Sequence, residues 1–207
     1  MSNKMIQAFS STIYHGELPA AKARRLNAQL AKEIATLPKI DPHGKEWSEK
    51  YFPNMYTSYA TMTKLHETSP TFAELAKLIE PHMKKFMRKL QWELMGKKIE
   101  MTTCWANSMN KGSHHTLHLH PYAAVSGVYY ASAPPGSCPL KLEDPRMNFY
   151  MSAPPRHHKA PATQQPYFEI APKAGHFVLF EGWMRHEVPP HLGSKPRLSI
   201  AFNYEWT

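Results

Sequence analysis

Near Lys98 the hydrophobic pattern of this chain changes period, and that change limits the fold more than any other feature of the sequence. Before it, apolar residues recur at helical spacing. Ala23, Leu26, Leu30, Ile34 and Leu37 form one such row between Pro19 and Leu37, and Pro38 is expected to stop it. Ser69 is a good N-cap with Pro70 at the first helical position. Phe72, Leu75, Ile79, Met83, Phe86 and Leu90 follow as a second row, with Pro81 expected to kink it. Asp41-Pro42-His43-Gly44 reads as a turn, and the aromatic stretch from Lys45 to Leu65 as irregular. After Lys98 come short β-like runs broken by Pro and Gly. They cover Ile99 to Asn107, Leu117 to Leu119, Val125 to Tyr130, Leu140 to Glu143, Tyr167 to Ile170, His176 to Phe180 and Arg197 to Tyr204, with a further start at Glu187-Val188. Helices followed by many short strands predict an all-β barrel or sandwich buttressed by N-terminal helices. The 207 residues suit a single domain, with 1–97 largely helical and 98–207 the β core.

Several function classes drop out on composition. No run of 18 apolar residues exists, so no membrane span is expected, and Met1 to Met5 has no apolar stretch behind it to make a signal peptide. Cys104 and Cys138 are too few for a disulfide framework, which points to a reduced, cytoplasmic setting; Cys104, beside Trp105, is expected to be buried and inert. The net charge of +9 comes from scattered Lys and Arg without a basic stripe or nucleic-acid motif, so no nucleic-acid partner is expected. An anionic small molecule or peptide substrate is compatible with that charge, and so is a homodimer. What remains unusual is thirteen histidines, since histidine is the commonest side-chain metal ligand.

Three of them form a constellation. In a strand, residues i and i+2 share a face, roughly 6–7 Å apart, so His118 and His120 can grip one ion side by side. A third ligand has to come from another strand, and His186 fits: it follows the apolar run His176 to Phe180 and the turn at Gly182. His114-His115 and His157-His158 are read as chance neighbours. Neutral imidazoles bind metal and protons competitively, so the affinity is expected to weaken as the pH falls toward about 6.5.

His118-Leu119-His120-Pro121, then Ser126-Gly127-Val128-Tyr129-Tyr130, then Gly175, Phe180 and His186, then Arg197 to Asn203, together resemble a family of 2-oxoglutarate/Fe(II)-dependent oxygenases over roughly Trp105 to Tyr204. The resemblance implies a double-stranded β-helix, a jelly-roll or cupin-like barrel. It implies Fe(II), 2-oxoglutarate as cosubstrate and O2, with hydroxylation of a substrate C–H coupled to conversion of 2-oxoglutarate into succinate and CO2. It makes His118 the first ligand and His186 the distal one. Arg197 would pair with the cosubstrate's far carboxylate, and Ser199, two residues on, would share its face. Most such enzymes have a carboxylate where this chain has His120. Three neutral ligands leave Fe(II) its full charge, which a dianionic cosubstrate would offset, and they make Zn(II) or Cu(II) stronger competitors. The nearest acids able to stand in are Glu143, Asp144 and Glu187.

Four further positions carry expectations. Asn107 and Tyr129 are candidate cosubstrate contacts; Tyr129 and Tyr130 alternate in facing. Arg146 of Asp144-Pro145-Arg146 would meet a substrate carboxylate or else a surface acid, and the segment from Met151 to Pro166 would act as a lid or a solvated loop. Arg197 has its own bland alternative, an edge-strand ion pair with Glu181 or Glu187. Two rival readings stand beside the oxygenase. One is a cupin-like dioxygenase that does not use 2-oxoglutarate: Gly112 and His118-x-His120 fit part of that pattern, but no glutamate lies between Pro121 and Gly127. The other is a non-catalytic metal- or ligand-binding barrel.

Overall fold

The structure is a computed structural model that describes residues 3–207. Its centre is two antiparallel sheets. The larger holds six strands in the order β1-β8-β5-β10-β3-β2, where β1 is Tyr14–Glu17, β2 Met55–Thr57, β3 Ile99–Met109, β5 Val125–Ser132, β8 His176–Glu181 and β10 Arg197–Trp206. The smaller is ordered β4-β9-β6-β7, with β4 His115–His118, β6 Leu140–Glu143, β7 Tyr167–Ile170 and β9 His186–Val188.

Alternation along each strand divides the core into two layers. Phe177 and Leu179 of β8, Tyr129 of β5, and Ile200, Phe202 and Tyr204 of β10 face the helices α1 (Ala20–Ile40) and α4 (Pro70–Leu90). There they meet Leu26, Leu30, Ile34, Phe72, Leu75, Ile79 and Phe86, the residues of the two periodic rows. Val178, Phe180 and Tyr130 point the other way and pack between the sheets against Leu140, Leu142, Ile170 and Val188. The helices therefore cover one face of the large sheet and the small sheet covers the other. Gly127 carries the close contact between β5 and β10: a Cβ there would lie 2.2 Å from the Phe202 ring.

Two local expectations change. α1 runs through Pro38 to Ile40, because a proline in the last turn forfeits a single helical hydrogen bond. The second row forms α4 from Pro70 to Leu90 as expected, with Pro81 inside it and Ser69 accepting from the Thr71 and Phe72 amides. The Asp41-Pro42 turn is the start of a helix, α2 (Pro42–Tyr51): Asp41 Oδ1 accepts the Gly44 amide and Pro42 occupies the first helical position. Strands β1 and β2 arise inside the N-terminal part and add the two edges of the large sheet. Among the described residues, no helix is long and apolar enough to cross a membrane.

Candidate functional site

His118 and His186 are opposite one another in the β4–β9 ladder, which sets their rings 4.3 Å apart between centroids. β4 ends at His118, so His120 lies just beyond the strand rather than in it. Its position comes from its amide, which donates to the Gly182 carbonyl in the turn before His186. The His120 ring is 5.4 Å from that of His118 and 5.1 Å from that of His186. One ring nitrogen from each of the three falls within 4.8 Å of the other two, a spacing suited to one metal ion.

Each ring is held by its Nδ1. His118 Nδ1 is 2.7 Å from the Thr116 carbonyl and His186 Nδ1 is 2.9 Å from the Met184 carbonyl. A carbonyl only accepts, so Nδ1 carries the proton and Nε2 is left with its lone pair. His120 Nδ1 is 2.7 Å from Asn203 Oδ1, and Ser126 Oγ, which donates to the same oxygen at 2.9 Å, stands 2.8 Å from that nitrogen. Partners of this kind orient metal-ligating imidazoles. Burial and mutual repulsion keep the rings neutral: His186 is held down to about 3, and His118 and His120 are also lowered, chiefly by burial. The donor set and its charge state fit a divalent transition metal.

No carboxylate joins the cluster among the described residues. Glu143 pairs with Arg185 at 2.9 Å, Glu187 with Lys141 at 2.8 Å, and Asp144 with Arg146 at 2.7 Å. Each of the three stand-in acids is thus already engaged. The third of these pairs also answers the question of Arg146: its guanidinium grips Asp144 through Nε and Nη2, and Tyr150 adds a hydroxyl to the same carboxylate.

Beyond the histidines the cavity deepens toward β10. Arg197, Ser199 and Ala201 share its inner face and line the cavity with Asn107 and Trp105 of β3. Arg197 is 2% exposed, yet it does not pair with Glu181 or Glu187. Its Nη1 donates to Ser199 Oγ at 3.1 Å and to Met109 Sδ at 3.2 Å, its guanidinium lies 4.9 Å over the Tyr130 ring, and its Nε has no partner. Asn107 Oδ1 and the Tyr130 hydroxyl are buried and unpartnered as well. A buried cation beside idle polar groups, without a carboxylate, is expensive unless an anion completes it.

Tyr129 is a correction. Its hydroxyl donates to Asn27 of α1 at 2.6 Å, on the helix side of the sheet, and alternation puts Tyr130 between the sheets, with its ring against Arg197. The sequence reading also missed His115, whose ring faces the cavity 6.1 Å from that of His118. Burial, then the neighbouring His118 and Arg197, push its pKa to about 3. Ser126 and Asn203 could have been found by counting alternate positions from Arg197 and Tyr130. The segment 151–166 does not cover the histidines: Arg156 and Ala162 to Gln165 border a separate, wider groove with Ile6 to Ser11, and that groove contains neither the three histidines nor Arg197.

Comparison with known proteins agrees with this geometry. Residues 103–203 match the model of a family described as "Putative 2OG-Fe(II) oxygenase". No curated protein matches the chain by sequence. Solved structures of similar fold include a prolyl-4-hydroxylase from Pseudomonas putida, at 16% identity and TM-score 0.59 over 94% of this chain and 92% of that one. EctD from S. alaskensis, with 2-oxoglutarate and 5-hydroxyectoine, aligns at 14% identity and TM-score 0.64 over 94% of this chain and 72% of that one. HygX from Streptomyces hygroscopicus, with nickel and 2-oxoglutarate bound, aligns at 14% identity and TM-score 0.61 over 95% and 83%. At these identities the likeness establishes the fold, a double-stranded β-helix.

Proposed function

We propose that this chain is a 2-oxoglutarate-dependent hydroxylase of the 2OG-Fe(II) oxygenase superfamily, whose Fe(II) is held by His118, His120 and His186. The observation that carries the reading is Arg197. Among the described residues it is the one charged side chain lining the histidine cavity, it is buried, and it meets no carboxylate. A dicarboxylate reaching from the metal to Arg197 would complete both centres. Its two negative charges would offset the iron, which three neutral ligands leave uncompensated.

When bound, Fe(II) with 2-oxoglutarate and O2 supplies an oxidant for C–H bonds, and the cosubstrate leaves as succinate and CO2. The chain's residues prepare that chemistry. The Thr116 and Met184 carbonyls and Asn203 Oδ1 fix three imidazoles in the tautomer that offers Nε2. Arg197 presents a planar fork suited to a carboxylate, held in place by Ser199, Met109 and the Tyr130 face. Leu140, Phe180 and Val188 line the cavity and exclude water from it. Trp105 flanks His120 at 5.8 Å, with Tyr59 against it at 5.2 Å, so substrate would enter past aromatic rings. A small molecule or peptide is proposed, and the +9 charge favours an anionic one.

Anaerobic titration tests this directly. Fe(II)-loaded protein should develop a saturable visible charge-transfer band as 2-oxoglutarate is added, and succinate should form once O2 is admitted. A wild-type protein that binds Fe(II) but gives no band at millimolar 2-oxoglutarate would overturn the reading in favour of the cupin-like one.

A further inference from the structure

One imidazole in the cavity has no task in the metal site. His115 opens β4, and a bulge separates it from His118, so the two rings do not converge on the same point. His118 is opposite His186 in the ladder, whereas His115 is opposite Val188, one inner-face position further along β9. The His115 ring packs against Phe52 at 5.2 Å and stands apart from the three histidines that converge. It lines the same cavity as Arg197, Ser199 and Asn107, and among the described residues no hydrogen bond reaches its ring nitrogens.

This part of the cavity thus gathers donors around a cation with no carboxylate among them, and its one unpartnered acceptor is the neutral amide oxygen of Asn107. A neutral imidazole has one N–H to give. Arg197, which lines the same cavity, has a buried Nε without a partner. Such a group of donors, empty of carboxylates, is built for an anion that arrives with the ligand. The position of His115, beyond the metal set and on the Arg197 side, indicates which end of that ligand it meets.

We propose that His115 is a cosubstrate-binding residue that joins Arg197 in holding the far carboxylate of the 2-oxo diacid, and so sets the preference of this pocket for 2-oxo dicarboxylic over 2-oxo monocarboxylic acids. The inference rests on the oxygenase reading above. It assigns His115 to ligand selection and leaves metal binding to the other three histidines.

The test compares two ligands of equal chain length, 2-oxoglutarate and 2-oxopentanoate, which differ in the far carboxylate alone. Binding is read anaerobically from the charge-transfer band of the Fe(II)-loaded protein, and metal content and a thermal melt are measured alongside. His115→Phe should weaken 2-oxoglutarate binding by about tenfold or more, the range for a hydrogen bond to a charged group. It should leave 2-oxopentanoate affinity within about twofold and metal content unchanged, and His115→Gln, which keeps a donor, should recover part of the loss. Equal weakening of both ligands, or loss of metal, would place His115 at the metal end and overturn the proposal. Unchanged 2-oxoglutarate affinity in both variants would overturn it too. If His115→Phe melts early, His115→Gln and His115→Leu are compared in the same two-ligand assay. Failure of the wild type to bind 2-oxoglutarate strikes the oxygenase reading itself and is recognised before any variant is made.

Discussion

His120 Nδ1 lies 2.7 Å from Asn203 Oδ1, so one of the three imidazoles of the candidate metal site is oriented by a residue near the end of the last strand. Ser126 donates to the same amide oxygen from β5, and the three side chains form one small network behind the metal position. The network explains how an imidazole can serve at this place: its proton is anchored on Nδ1 and its lone pair is aimed at the cavity.

Asn203→Leu removes the acceptor without adding a competing group. Metal affinity should fall by about 10–100-fold, the usual effect of losing such a partner. His120→Ala should lower it at least as far, while His118→Ala and His186→Ala should abolish stoichiometric binding. Metal analysis after dialysis against a weak chelator checks all four. Full metal retention in His118→Ala or His186→Ala would contradict the site.

Arg197→Met should keep metal content near normal and weaken 2-oxoglutarate binding by about 2–5 kcal/mol, the range for truncating one partner of a buried charge pair. Arg197→Lys should regain a part, because an ammonium cannot reproduce the fork. The protein is checked for folding by its melt. Unchanged cosubstrate affinity in a folded Arg197→Met protein would return Arg197 to a structural role.

The two adjacent tyrosines should behave oppositely. Tyr129→Phe loses the hydrogen bond to Asn27 and should cost about 1 kcal/mol of stability with cosubstrate affinity intact. Tyr130→Phe removes an idle buried hydroxyl beside Arg197, so it should leave stability unchanged or slightly raised and weaken 2-oxoglutarate binding. Denaturant melts and the anaerobic titration separate the two effects.

The pH dependence follows from the buried rings. His186 and His115 are held down to about 3, and His118 and His120 are also lowered from the ordinary 6.5. The unfolded chain therefore takes up protons before the folded one does. Stability of the metal-free protein should be fully present above about pH 6.5 and be lost progressively toward pH 3. Metal affinity needs neutral rings, so it should stay nearly level from pH 8 to about 6.5 and decline below that as each lowered pKa is reached. This revises the expectation from exposed imidazoles, in which the decline is already under way at 6.5. A loss of affinity that begins near pH 7 and steepens below it toward about tenfold per unit for each of the three rings would show them titrating as if in water.

Some of this protein was readable in order along the chain. Helix period, strand alternation and the Ser69-Pro70 start depend on neighbours a few residues apart. Those local rules placed α1, α4 and nearly every strand of the β core, and the H-x-H spacing singled out His118 and His120, but His120 lies past the end of β4 and the distant Gly182 carbonyl sets its position. The Asp41-Pro42 helix start was equally local but was read as a turn, since the same two residues serve both. What the tertiary structure alone decided is which distant groups meet. The β4–β9 register, not any spacing, brings His186 onto His118. The layering of α1 against the large sheet turns Tyr129 to Asn27 and leaves Tyr130 between the sheets against Arg197. The bulge in β4 separates His115 from the metal set. Arg197 could be anion-binding or ion-paired until the positions of Glu181 and Glu187 were known, because whether a buried charge is satisfied depends on the whole neighbourhood and is not written in any one segment.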